Sequence, residues 1–169
     1  MYNRAFHNEE PRLTQIDFYI LPDDTQVEPV RYTCRLIEKV YRLGHKIYVH
    51  CANETQCRQV DETLWQLDDA SFIPHSRLSE SATSQNNVTP ASAADNSPIL
   101  IGWQALPEYH GEVLINLADS IPDFFSRFHR VAEIVPGNME QRTKSRQNYR
   151  FYKERGYPLN THNIKPSKR

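Results

Sequence analysis

Arg142, Arg146, Tyr149, Arg150 and Lys153 recur at helical spacing near the end of the chain. At about 100° per residue they fall within roughly one third of a helix circumference. A strip of this kind suits recognition of an anion, because guanidinium forks pair with carboxylates bidentately, and the ring of Tyr149 sets an apolar surface beside the charge. The ordinary fate of a basic helix face is solvation, but here the charge is local. Between Glu140 and Arg155 six basic residues stand against two acids, whereas the whole chain carries Lys+Arg 20 against Asp+Glu 21, a net charge of -1. A duplex binder normally presents a basic domain with several phosphate-contacting elements. The partner that this charge selects is a short acidic peptide or a small anion.

Other residues offer chemistry less convincingly. Asp23 and Asp24 follow the first predicted strand, where paired carboxylates could hold magnesium or share a proton; turn and helix-start preferences account for them more cheaply. A nucleotide would need backbone amides exposed by glycine, and none of the five glycines forms G-x-G-x-x-G or a P-loop. His50 and Cys51 are adjacent on a strand and point to opposite faces, so they are no thiol and base pair. Cys34, Cys51 and Cys57 contain no C-x-x-C, and the seven histidines show no paired-ligand spacing. The expectation is a protein without catalytic residues, cofactor or metal, with a small nucleotide-binding enzyme using Asp23 and Asp24 as one alternative. Direct single-strand nucleic-acid binding by Arg146, Tyr149 and Arg150 is the other. Trp65 and Phe72 are large rings at a helix end and in the following connection, serving as core lids or, if exposed together, as an interface anchor.

The positions of these residues follow from the order of elements. Ile16–Leu21 reads as a buried strand closed by a Pro-Asp-Asp-Thr turn, and Pro29 to Leu43 as an amphipathic helix stopped by Gly44. Lys46–His50 is a second strand and Glu54–Leu67 a second helix. Ile99–Trp103 and Val113–Leu117 read as central strands. Asp119 to His129 reads as a short helix with Phe124, Phe125 and Phe128, and Val131–Val135 as a last strand before the basic helix, which Gly156 and Pro158 terminate. Strand and helix alternation predicts one α/β domain around a mostly parallel sheet. From Ser76 to Ser97 the composition turns to Ser, Ala, Asn and Thr, which builds no core and predicts a flexible insertion. The first residues hold no hydrophobic run and nothing later is apolar enough to span a membrane, which places the protein in the cytoplasm.

Taken together, Asp17–Leu21, Asp61-Glu62-x-Leu64-Trp65, Ser71-Phe72-Ile73-Pro74-His75 and Arg146-x-x-Tyr149-Arg150-x-Tyr152-Lys153-x-x-Gly156-Tyr157-x-Leu159-Asn160-Thr161 resemble the chi subunit of bacterial DNA polymerase III. The resemblance runs in order from about residue 16 to residue 161. It implies a Rossmann-like three-layer domain without a nucleotide-binding glycine loop, over residues 15–163. Residues 1–14 would be a polar tail, 76–98 a flexible insertion and 164–169 a basic tail. It also implies a non-catalytic accessory role in the clamp-loader complex, linking the psi subunit to the acidic C-terminal tail of single-stranded DNA-binding protein, with DNA contacted mainly indirectly. Mapped motif by motif, tail binding falls on Val135, Arg146, Tyr149 and Arg150, with Lys153 on the same strip. The family commonly has Lys where Arg150 stands, and arginine adds a bidentate fork. The psi contact falls on Trp65 and Phe72 with Pro74 beside them, a surface that members also use for a repair helicase of the XPD type.

Overall fold

Short β-rich runs separated by amphipathic helices fold here as the alternation requires. The computed structural model describes residues 12–23, 27–67, 72–78, 97–104 and 112–166. In chain order the elements are β1 (Gln15–Ile20), α1 (Pro29–Arg42), β2 (Ile47–His50), α2 (Glu54–Gln66), β3 (Ser76–Arg77), β4 (Ile99–Gly102) and β5 (Val113–Asn116). A 3-10 turn (Phe125–Arg127), β6 (Arg130–Val135), α3 (Met139–Glu154) and β7 (Leu159–Asn163) complete them. The strands form one sheet in the order β3-β4-β2-β5-β6-β1-β7, parallel at every pairing. Parallel strands need crossover connections, and these put helices on both faces.

Alternation of side chains then makes two cores. Ile47, Val49, Ile99, Ile101, Val113, Ile115, Ala132 and Ile134 face α1 and α2. Ile16, Phe18, Tyr48, Leu100, Leu114, Val131 and Val135 face α3, where Phe125, Phe128 and Tyr152 complete the packing. The central strands β2, β4 and β5 are buried along their whole length, which explains why they read as continuous apolar runs. Glu28 caps α1 by accepting from Val30 and Arg31, and Asn53 and Asn138 cap α2 and α3, each satisfying amides that the first helical turn leaves free.

Four expectations change. The segment Asp119 to His129 supplies a single 3-10 turn and not an α-helix, because Phe125 and Phe128 insert separately into the core and Pro122 precedes them. The insertion does not begin at Ser76: Ser76 and Arg77 pair with Leu100 and Ile101 as edge strand β3, Leu78 donates to Ile101, and of the remainder residues 79–96 lie outside the described residues. Leu159–Asn163 forms β7, an edge strand whose polar, half-exposed pattern gives no apolar run to read. The tails are shorter than expected at their inner ends. Thr14 is buried and donates to the Phe128 carbonyl at 2.7 Å, while Ile164 packs on the core and donates its amide to Ile20.

Candidate functional site

The basic strip sits on α3, and Tyr152 fixes which way it faces. Its ring is fully buried against Phe18 and Phe125, and its hydroxyl donates to Glu133 Oε1 at 2.6 Å beneath the helix. Asn116 Nδ2 donates to the other carboxylate oxygen at 3.1 Å. Burial nevertheless dominates: it disfavours charge on Glu133 more than the two hydrogen bonds favour it, and its pKa is pushed up to about 7. One flank of the helix is tied to the loop after β5, where Lys144 Nζ reaches Asp119 at 2.8 Å and Asn148 donates to the Asp119 carbonyl.

The opposite flank carries the strip. Tyr149 is half-buried, its ring 5.3 Å from that of Phe18, so one edge is anchored while the rest meets solvent. Arg146, Arg150 and Lys153 are exposed, and among the described residues none of their side chains has an ion-pair or hydrogen-bond partner. Arg142 differs. It is clamped at the first turn by Asp23 at 2.5 Å and by the Leu21 carbonyl at 3.4 Å, so the turn after β1 is joined to α3 and Asp23 is occupied. Asp24 lies outside the described residues. Val135 is buried in the core on the α3 side of the sheet and offers little free surface. The turn from β6 into α3 is tight against the turn after β1, for a Cβ at Gly137 would stand 2.2 Å from the Pro22 carbonyl oxygen.

A second surface lies at the other end of the sheet. Trp65 and Phe72 remain 57 % and 67 % exposed although their ring centroids are 5.3 Å apart. Their exposure rejects the lid reading. Beneath them His75 packs its ring 5.1 Å from Trp65, brings Nδ1 to 2.7 Å from the Ile73 carbonyl, and sets Nε2 2.9 Å from Asp61. The last contact is close but poorly aimed as a hydrogen bond. Arg77 approaches the same carboxylate at 3.5 Å. Pro74 is half-buried within this connection. Sequence reasoning had the segment but not the brace; the pairing of Asp61 with His75 crosses from α2 to the next connection, and only the fold brings them together.

The residues considered for catalysis separate. Cys51 belongs to the core under α1 and α2, whereas His50 faces Phe124 and Tyr48 on the other side of the sheet. Among the described residues no cluster of His, Cys, Asp or Glu could hold a metal, and no helix is long and apolar enough to cross a membrane.

A profile of the family described as DNA polymerase III chi subunit, HolC, matches residues 13–160. The DNA polymerase III subunit chi of Pseudomonas aeruginosa is 36% identical over 152 residues, covering 90% of this chain and 98% of that protein. Those of Haemophilus influenzae and Escherichia coli are 32% and 30% identical, covering 87% and 85% of this chain and 95% and 94% of theirs. In fold, the chain is similar to the crystal structure of T4 UvsW, with a TM-score of 0.60 over 90% of this chain and 42% of the other, at 9% identity. That likeness concerns architecture alone.

Proposed function

Because this chain belongs to the DNA polymerase III chi subunit family, we propose that it is a non-catalytic accessory subunit that joins the clamp-loader complex, through psi, to the acidic tail of single-stranded DNA-binding protein. The observation that carries the reading is the free charge on α3. Arg146, Arg150 and Lys153 stand together without ion partners among the described residues, next to a tyrosine ring whose inner edge is pinned. Carboxylates of a peptide tail pair with the two arginines, and a terminal aromatic group with its free carboxylate settles against Tyr149, which packs on the core that includes Val135. An exposed site of this size binds in roughly the micromolar range, about -8 kcal/mol, and weakens as salt screens it. Tetrameric single-stranded DNA-binding protein offers several tails and therefore avidity.

The psi contact is assigned to Trp65, Phe72 and Pro74. Two neighbouring exposed aromatics of this size supply the kind of anchor that dominates protein interfaces, and a repair helicase of the XPD type is a second user of the same patch. The surfaces lie on different elements and separate by mutation. Titration calorimetry with an acidic peptide ending in a free carboxylate, its amidated form and oligo-dT tests the tail site. Arg150→Ala removes most peptide affinity and leaves co-elution with psi intact; Trp65→Ala does the reverse. Equal affinity for the amidated peptide, or preference for oligo-dT, refutes the reading.

A further inference from the structure

Leu13 and Leu43 are 58 % and 68 % exposed, and both open onto one cleft on the face of the sheet opposite α3. The cleft has a volume of about 1290 Å³, more than a small-molecule pocket of roughly 300–1,000 Å³ requires. Its floor is the sheet itself, at Tyr19, Val113, Ile115 and Ala132, and one wall is the flank of α1 that presents Leu36 and Val40, continued by Leu43 at the helix end. Around this trough, which Gln15, His45 and His129 also line, the fixed charges are Arg12, Lys39 and Arg130 against Glu112. Arg130 is held by Asp17 and Glu112 accepts from the Lys46 amide, while among the described residues Arg12 and Lys39 have no ion partner. The positive charge continues along the exposed side of α1 at Arg35 and Arg31.

We propose that this cleft is a second docking surface, for an acidic segment of another polypeptide with leucine-like side chains at helical spacing. The trough demands apolar groups and its rim demands anions, which an amphipathic helix satisfies from its two faces. A nucleic acid fits poorly. Its bases need aromatic platforms, and Tyr19 already stacks on His162 with centroids 4.7 Å apart. The surface is distinct from the α3 strip, since the sheet lies between them.

The test uses the full chain and a fluorescein-labelled peptide of about 15 residues, leucine on one face and glutamate on the other. Its lysine counterpart and oligo-dT serve as comparisons. Fluorescence anisotropy is expected to show saturable binding of the glutamate peptide alone, weakened about tenfold by Lys39→Glu and by Leu43→Asp, both exposed positions. Methyl spectra of the leucine- and valine-labelled protein should shift at Leu13, Leu36, Val40 and Leu43, and the α3-directed acidic tail peptide should not displace the ligand. No binding, equal binding of the lysine peptide, preference for oligo-dT, indifference to the two variants, or displacement by the tail peptide overturns the proposal. Only displacement would also bear on the α3 site, whose own test is Arg150→Ala.

Discussion

Replacing Glu133 with glutamine should remove a pH dependence from the stability of the whole domain. The carboxyl is 3 % exposed, held between Tyr152 and Asn116 under α3, and titrates near 7 in the folded protein against an ordinary value of 4.5. A carboxyl whose folded pKa is raised contributes stability that is fully present below the unfolded value and is lost as pH rises through the folded one. The loss therefore runs from about pH 4.5 to somewhat above 7. A displacement of that size corresponds to about 3 kcal/mol, and for a domain of this length to roughly 6–12 °C in Tm. Glutamine is nearly isosteric and, like a protonated carboxyl, has one accepting oxygen for the Asn116 amide and one donor that the Tyr152 hydroxyl oxygen accepts by turning its own proton away, so both contacts persist without charging. Thermal unfolding of both proteins followed by circular dichroism at intervals between pH 5 and 8 gives a difference curve in which other titrating groups cancel. The variant's advantage over wild type should be smallest near pH 5 and grow progressively toward pH 8. A flat difference would mean that the carboxylate is better solvated or paired than the geometry implies, and would refute the reasoning.

Other outcomes follow from neighbouring features. Burial alone would raise the pKa of Asp17, but hydrogen bonds from Arg130 and His162 outweigh it and hold the group below 3.8. The stability it contributes is present above that value and disappears as pH falls through the folded pKa, so Asp17→Asn should flatten the acid limb of an unfolding curve while costing stability at neutral pH. Gly137→Ala forces a methyl group onto the Pro22 carbonyl and should cost about 1–3 kcal/mol, read as a lower denaturant midpoint, with weaker tail binding because α3 begins two residues later. Cys34, Cys51 and Cys57 are all buried, and burial, as first cause, pushes the Cys34 thiol up to about 12. A thiol reagent at pH 8 should label none of them in the native state and three after denaturation.

What could be read in the residues was periodicity. The five positions on the last helix and the two amphipathic helices each carry their own repeat, the central strands announce themselves as short unbroken apolar runs, and all are found where those patterns put them. β3 and β7 escaped because edge strands of two and five mostly polar residues bury too little to leave an apolar signature. Arg142 shares the helical spacing of Arg146 and Arg150, yet its charge is taken by Asp23, more than a hundred positions away in sequence. No local pattern announces such a pair. The cleft beside α1 is assembled from Arg12, Lys39, Glu112 and Arg130, which have nothing in common until the sheet brings them together. The exposure of Trp65 and Phe72 was likewise undecidable from hydrophobicity, which argues for burial.

Strand order has a consequence for how the molecule is made. Among the described residues β1 pairs only with β6 and β7, and its buried Asp17 meets Arg130 across 113 positions. During synthesis Ile16, Phe18 and Ile20 therefore leave the ribosome long before any neighbour exists for them, while β2, β4 and β5 can already associate. Three of the seven strands are a late assembly with a costly loop to close, so folding should be slow for the size, and the nascent first strand is a natural client for a chaperone.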